Sequence, residues 1–112
     1  MADEKVLVVD DEVGMLTLLR NYLTREAYEV HTAPSAETAL QLLEENDFDV
    51  VLTDLRMGGM DGLALMRAIH ATRPETPVIL MTAFGGIDTA IEAVKAGAYH
   101  DTVGEPLALS FQ

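Results

Sequence analysis

The sequence predicts an α/β fold: a parallel β-sheet with helices on both faces. Two observations carry this. VLVV (6–9), VVL (50–52) and VIL (78–80) are continuous, β-branched apolar runs, the pattern of strands buried on both faces. Between them the apolar period becomes helical, so the chain alternates β-α-β-α-β-α-β-α, the order that builds parallel sheets. With 112 residues, 49% of them hydrophobic, and no linker or repeat, the expectation is one domain over 1–112.

The elements follow in order. VLVV is the first strand. Leu16, Leu19 and Leu23 share one face of a helix over about 14–25. EVHTA (29–33) alternates, with Val30 and Thr32 on one side, which suits a strand near an edge. Ser35, behind Pro34, is a natural N-cap for a helix whose Ala36, Ala39, Leu40 and Leu43 form a stripe. VVL is the third strand. Asp61 caps a helix that carries Leu65, Met66 and Ile69 and ends before Pro74. VIL is the fourth strand. Ile87, Ala90, Ile91 and Val94 form a fourth helical stripe, with Gly97 as its stop. Right-handed crossovers leave few topologies for so small a chain. The expected one is the open, doubly wound, flavodoxin-like sheet with strand order 2-1-3-4-5.

Composition narrows the function. Nineteen acids against seven bases give a net charge of −12, which repels a phosphate backbone and argues against direct nucleic-acid binding. A divalent cation is the more natural small partner, although most of these acids serve only solubility. There is no cysteine, so disulfides and thiolate metal sites are excluded. The apolar runs fall far short of the ~20 residues that span a bilayer. MADEKV lacks the basic start and apolar middle of a signal peptide, which makes the cytoplasm the default location.

In open α/β sheets, ligands bind beyond the carboxyl ends of the strands, where the strand order reverses. Asp10, Asp11 and Glu12 follow the first strand, Asp54 follows the third, and Thr82 and Ala83 follow the fourth. In the order 2-1-3-4-5 the first and third strands are neighbours, so Asp10, Asp11 and Asp54 converge. Without a cation, at least one of these carboxylates must take up a proton. Mg²⁺, which prefers carboxylate oxygens and water, relieves the crowding. The other reading is that Asp10 and Asp11 begin a solvated loop and cap the next helix.

VLVVDDE, LTDLRMGGMDG, PVILMTAFG and AVKAGAY, in order and correctly spaced, together resemble the receiver domain of two-component response regulators. The resemblance covers about 4–99 and is closest to receivers at the front of enhancer-binding transcription activators. It implies that Asp54 accepts a phosphoryl group from a phosphohistidine on a partner histidine kinase. It further implies that Asp11, Asp54 and the backbone carbonyl of Arg56 bind Mg²⁺, with Asp10 helping through water. Thr82 would supply the hydroxyl that moves onto the phosphoryl group, and the Ala83 N–H would point at it. Such a domain is a phosphoacceptor switch regulating a transcriptional output, not a turnover enzyme.

The sequence departs from the family in two places. Gly58 stands where receivers usually have Pro. After Tyr99 the chain reads HDTVGEPLALSFQ, where the family has a fifth strand, a switch aromatic, Lys-Pro and a fifth helix. The only lysines are Lys5 and Lys95. Glu105 precedes Pro106, and Asp101 or Thr102 takes the aromatic's place. The expectation for 100–112 is an atypical tail, truncated or altered, with an irregular fifth strand and no fifth helix. Leu107, Leu109 and Phe111 would then cover exposed apolar surface, within the chain or on a second copy as a homodimer or swapped oligomer.

Two other functions compete. One is a degenerate receiver acting through protein contacts without productive phosphorylation, which the missing lysine and aromatic favour. The other is a small Mg²⁺-dependent phosphohydrolase, but that class separates its first two acids by one residue, whereas here they are adjacent. His31, His70 and His100 make no ligand spacing, the methionines are fillers, and GGMDG and FGGID lack the Lys-Ser/Thr of a P-loop.

Overall fold

The computed structural model describes residues 4–55, 57, 60–81 and, for the backbone only, 107–109. Strand β1 (Lys5–Val9) lies inside the sheet, next to its first edge strand. It pairs in parallel with β2 (Glu29–Ala33) on one side and β3 (Val50–Asp54) on the other. Next to β3 comes β4 (Val78–Met81), and then β5 (Leu107–Leu109). The order is β2-β1-β3-β4-β5, as the alternation of runs predicts, with EVHTA at the edge.

Helices α1 (Val13–Arg25), α2 (Ala36–Glu45) and α3 (Gly62–Thr72) cover the sheet. Successive residues of a strand face opposite ways, and this sorts the core into two layers. Val6, Val8, Val50, Leu52 and Ile79 pack with Leu16, Leu19 and Leu23 of α1. Leu7, Val9, Val51, Val78 and Leu80 pack with Ala39 and Leu43 of α2 and with Leu65, Met66 and Ile69 of α3. Each buried aliphatic side chain contributes about 1.5–3 kcal/mol, which makes these layers the main source of stability.

Local chemistry sets the helix ends. Ser35 Oγ accepts the Thr38 N–H at 3.1 Å, and Asp61 Oδ1 accepts the Ala64 N–H at 2.8 Å. The Arg73 guanidinium donates to the Leu43 carbonyl, tying the end of α3 to α2. Helix α1 ends differently: Ala27 adopts a left-handed φ of 72°, while the Tyr28 N–H reaches back to Leu23 O at 3.1 Å. Glycine usually fills that position, so the sequence carried no stop signal there.

Away from the acids, Lys5 stacks over the Phe48 ring 5.8 Å from its centroid, and its N–H donates to Asp49 Oδ2 at 2.7 Å. His31 meets the same ring edge-on and lies 2.9 Å from Glu29 Oε2. These contacts fasten the start of β1 and the edge strand β2 to the turn before β3.

The atypical tail supplies the last strand. Leu107, Ala108 and Leu109 run beside Ile79, Leu80 and Met81, so this segment of the tail extends the chain's own sheet. The fourth helical stripe, Ile87 to Val94, lies outside the described residues. Among the described residues, no helix is long and apolar enough to cross a membrane.

Candidate metal centre

β1 and β3 are adjacent, with Val9 opposite Thr53. The residue after each, Asp10 and Asp54, therefore arrives at the same height at the carboxyl edge of the sheet. Asp11 follows directly. One carboxylate oxygen from each of Asp10, Asp11 and Asp54 lies within 4.8 Å of the others. Asp10 is buried, Asp54 half-buried and Asp11 exposed, so the cluster has a closed floor and an open rim.

Burial strips water from the Asp10 carboxylate and raises its pKa from 3.8 to about 6. The charges of Asp54, Asp11 and Glu12 push the same way, while the Glu12 N–H, donated to Asp10 Oδ1 at 2.9 Å, works against them. The Asp10 backbone is also fixed, its N–H bonding Ala33 O at 3.1 Å. A rigid, desolvated oxygen donor beside two further carboxylates suits a hard divalent cation that keeps some of its water. The donor set can hold a metal ion.

Both readings of the acids survive in part. Asp10 does bind the backbone at the approach to α1, as a loop-opening Asp does. Yet Glu12, the N-cap itself, makes no side-chain cap bond, so capping leaves the carboxylate cluster unexplained.

Asp54 ends β3 and enters the loop to α3. The Leu55 N–H donates to Met81 O at 2.9 Å, and the Gly62 N–H donates to Leu55 O at 2.9 Å. Thr53, fully buried, gives its hydroxyl to the Asp54 carbonyl at 3.1 Å. Neither Thr53 nor Gly62 stood out in the sequence. A signal was present in DG, because glycine directly after an N-cap is a poor way to begin a helix. Arg56, Gly58, Thr82 and Ala83 lie outside the described residues; Asp10, Asp11 and Asp54 come together.

Residues 6–104 match the response regulator receiver domain. The chain belongs to that family. This receiver domain is 46% identical over 93 residues to the transcriptional regulatory protein ZraR of Salmonella typhimurium, covering 83% of this chain and 21% of that protein. It is 40% identical over 109 residues to the response regulator protein PilR of Pseudomonas aeruginosa, covering 97% of this chain and 24% of that protein. The chain thus spans about a fifth to a quarter of the length of these relatives. Among solved structures, it resembles a receiver domain protein from Clostridium thermocellum with TM-score 0.71 and 35% identity, over 97% of this chain and 84% of that one. It also resembles the response regulator TrrA of Thermotoga maritima, crystallised with Mg²⁺ and BeF, with TM-score 0.70 and 36% identity, over 72% and 70% of the two chains. A receiver domain is a signalling domain rather than a turnover enzyme, and the sheet order fits that assignment.

Proposed function

We propose that this receiver domain is a phosphoacceptor switch in which Asp54 takes a phosphoryl group from a phosphohistidine on a histidine kinase. The observation that carries this reading is the convergence of Asp10, Asp11 and Asp54 at the ends of two adjacent strands. Asp11 and Asp54 would hold Mg²⁺ directly, with the Arg56 carbonyl as a further ligand and Asp10 acting through water. When bound, the cation supplies positive charge to the phosphoryl oxygens. An Asp54 carboxylate oxygen attacks phosphorus as the phosphorus–nitrogen bond breaks, and the imidazole leaves with the electron pair. Asp10, anchored by Glu12 and Ala33, keeps the floor of the site in place. Thr82 and the Ala83 N–H are the proposed contacts that register the new charge. The output is transcriptional, by analogy with the transcriptional regulatory protein ZraR.

The experiment is incubation with acetyl phosphate, with and without Mg²⁺, followed by intact mass. One phosphoryl group should add in a Mg²⁺-dependent manner to the parent and not to Asp54→Asn. Full labelling of that variant refutes the assignment. A parent that folds and binds Mg²⁺ but takes up no phosphoryl group supports the second reading, a degenerate receiver working through protein contacts, which the absence of lysine from HDTVGEPLALSFQ favours.

A further inference from the structure

The Asp54–Leu55 peptide is held from three directions. Its N–H donates to Met81 O of β4 at 2.9 Å. Its carbonyl accepts the Thr53 hydroxyl at 3.1 Å. Against it lies the first residue of α3, where a Cβ on Gly62 would fall 2.0 Å from Asp54 O and 2.9 Å from both Asp54 C and Leu55 Cα. Those atoms are backbone and cannot swing aside, so α3 starts where it does only because residue 62 has no side chain.

The residue choices need explaining. Thr53 is fully buried in β3, where Val would have the same shape and no hydroxyl to desolvate. Glycine is a poor helix former, yet it opens α3. Both choices serve the same peptide. We propose that Thr53 and Gly62 are positioning residues for the Asp54 nucleophile. They fix the rotation of the peptide that follows Asp54, and so the direction in which the strand ends and the carboxylate is presented. They act through backbone atoms and touch neither metal nor phosphoryl group. The proposal rests on the phosphoacceptor reading of Asp54. Its leverage comes from the steep dependence of transfer on geometry, where a misplacement of ~1 Å can cost on the order of a hundredfold.

The test compares Thr53→Val, Thr53→Ser and Gly62→Ala in the full chain. The measurements are urea stability, calorimetric Mg²⁺ affinity, rate of labelling by acetyl phosphate, and hydrogen exchange of the Leu55 amide. Thr53→Val keeps the shape and loses the bond. It should match the parent in stability, yet bind Mg²⁺ and label about fivefold less well, as loss of one hydrogen bond's worth of fixing implies, with faster exchange at Leu55. Thr53→Ser keeps the hydroxyl and loses a methyl. It should be less stable but retain parent-like affinity and labelling. Gly62→Ala, where it folds, should lose more than Thr53→Val on both readouts; where it does not fold, the Thr53 pair decides. The proposal is overturned if Thr53→Val behaves as the parent at every readout, or if function tracks stability across the Thr53 pair. Should the parent neither bind Mg²⁺ nor label, the phosphoacceptor reading fails by itself. Leu55 exchange in Thr53→Val then decides whether Thr53 fixes the Asp54–Leu55 peptide: faster exchange sustains that part, unchanged exchange overturns it.

Discussion

Replacing Asp10 with Asn should stabilise the metal-free protein at neutral pH and have no such effect in acid. The folded domain raises the Asp10 pKa from 3.8 to about 6, chiefly by burial. A carboxyl whose folded value lies above its unfolded value favours folding through its protonated form. That contribution is complete below about pH 3.8 and is lost as pH rises through about 6. Well above 6, keeping Asp10 ionised therefore costs the fold at most about 3 kcal/mol. Solvent entering past the exposed Asp11 screens part of this and leaves about 2 kcal/mol. Asn keeps an oxygen to accept the Glu12 N–H and carries no charge. At pH 8 in chelator, Asp10→Asn should gain about 2 kcal/mol, or roughly 8 °C in Tm for a domain of this size. The advantage should fall to nothing near pH 4 and shrink with added Mg²⁺, which stabilises the parent by mass action. The assay is a series of thermal melts from pH 4 to 8, with chelator and with Mg²⁺. A gain of equal size at pH 4 and pH 8, or a loss at pH 8 in chelator, refutes the argument that a crowded, buried carboxylate strains the empty site.

Asp11→Asn, at the exposed rim, should also melt higher in chelator but by less than Asp10→Asn, and scanning calorimetry of the two ranks them. Ala27→Gly should raise stability by up to about 1 kcal/mol, because glycine relieves the left-handed φ of 72° at the end of α1; an unchanged urea midpoint would show no strain there. Because Leu107–Leu109 already lies along β4 of its own chain, the tail's self-association should run through β5 at the end of the sheet and be largely independent of phosphorylation. Sedimentation over a concentration series, with and without a phosphoryl mimic, checks this, and a strict monomer or a mimic-dependent dimer counts against it.

Much of this was legible in the residues. Uninterrupted β-branched runs mark β1, β3 and β4 because both faces of those strands are buried. Ser35 and Asp61 mark helix starts because each fills a backbone donor's need. The meeting of Asp10, Asp11 and Asp54 followed from topology alone, once β1 and β3 were neighbours. Other features were hidden for physical reasons. β3 extends to Asp54, a poor strand former, because pairing with Met81 outweighs local preference. The end of α1 at Arg25 agrees with its apolar stripe, but the left-handed Ala27 beyond it was hidden, because glycine rather than alanine marks that conformation. The β5 segment is three residues long, too short for any periodicity, and is defined by the edge of β4 beside it. Thr53 gave no signal as a site residue and Gly62 only that of DG, because the contacts both make with the Asp54–Leu55 peptide run through main-chain atoms.

The two-sided core leaves β1 with an ambiguity. Val6 and Val8 face α1 while Leu7 and Val9 face the other helices, and all four are aliphatic. A slip of one position would exchange the faces without exposing anything polar, so hydrophobicity alone sets the strand's position weakly. The boundary between Val9 and Asp10 resolves it. Sliding the strand back would drive the Asp10 carboxylate into the dry interior, and sliding it forward would draw Lys5 inward past the Phe48 ring it stacks on. The acids that can hold a cation thus also act as a ruler, telling this inner strand where to stop. A receiver that lost these charges through divergence would lose a folding instruction along with its chemistry.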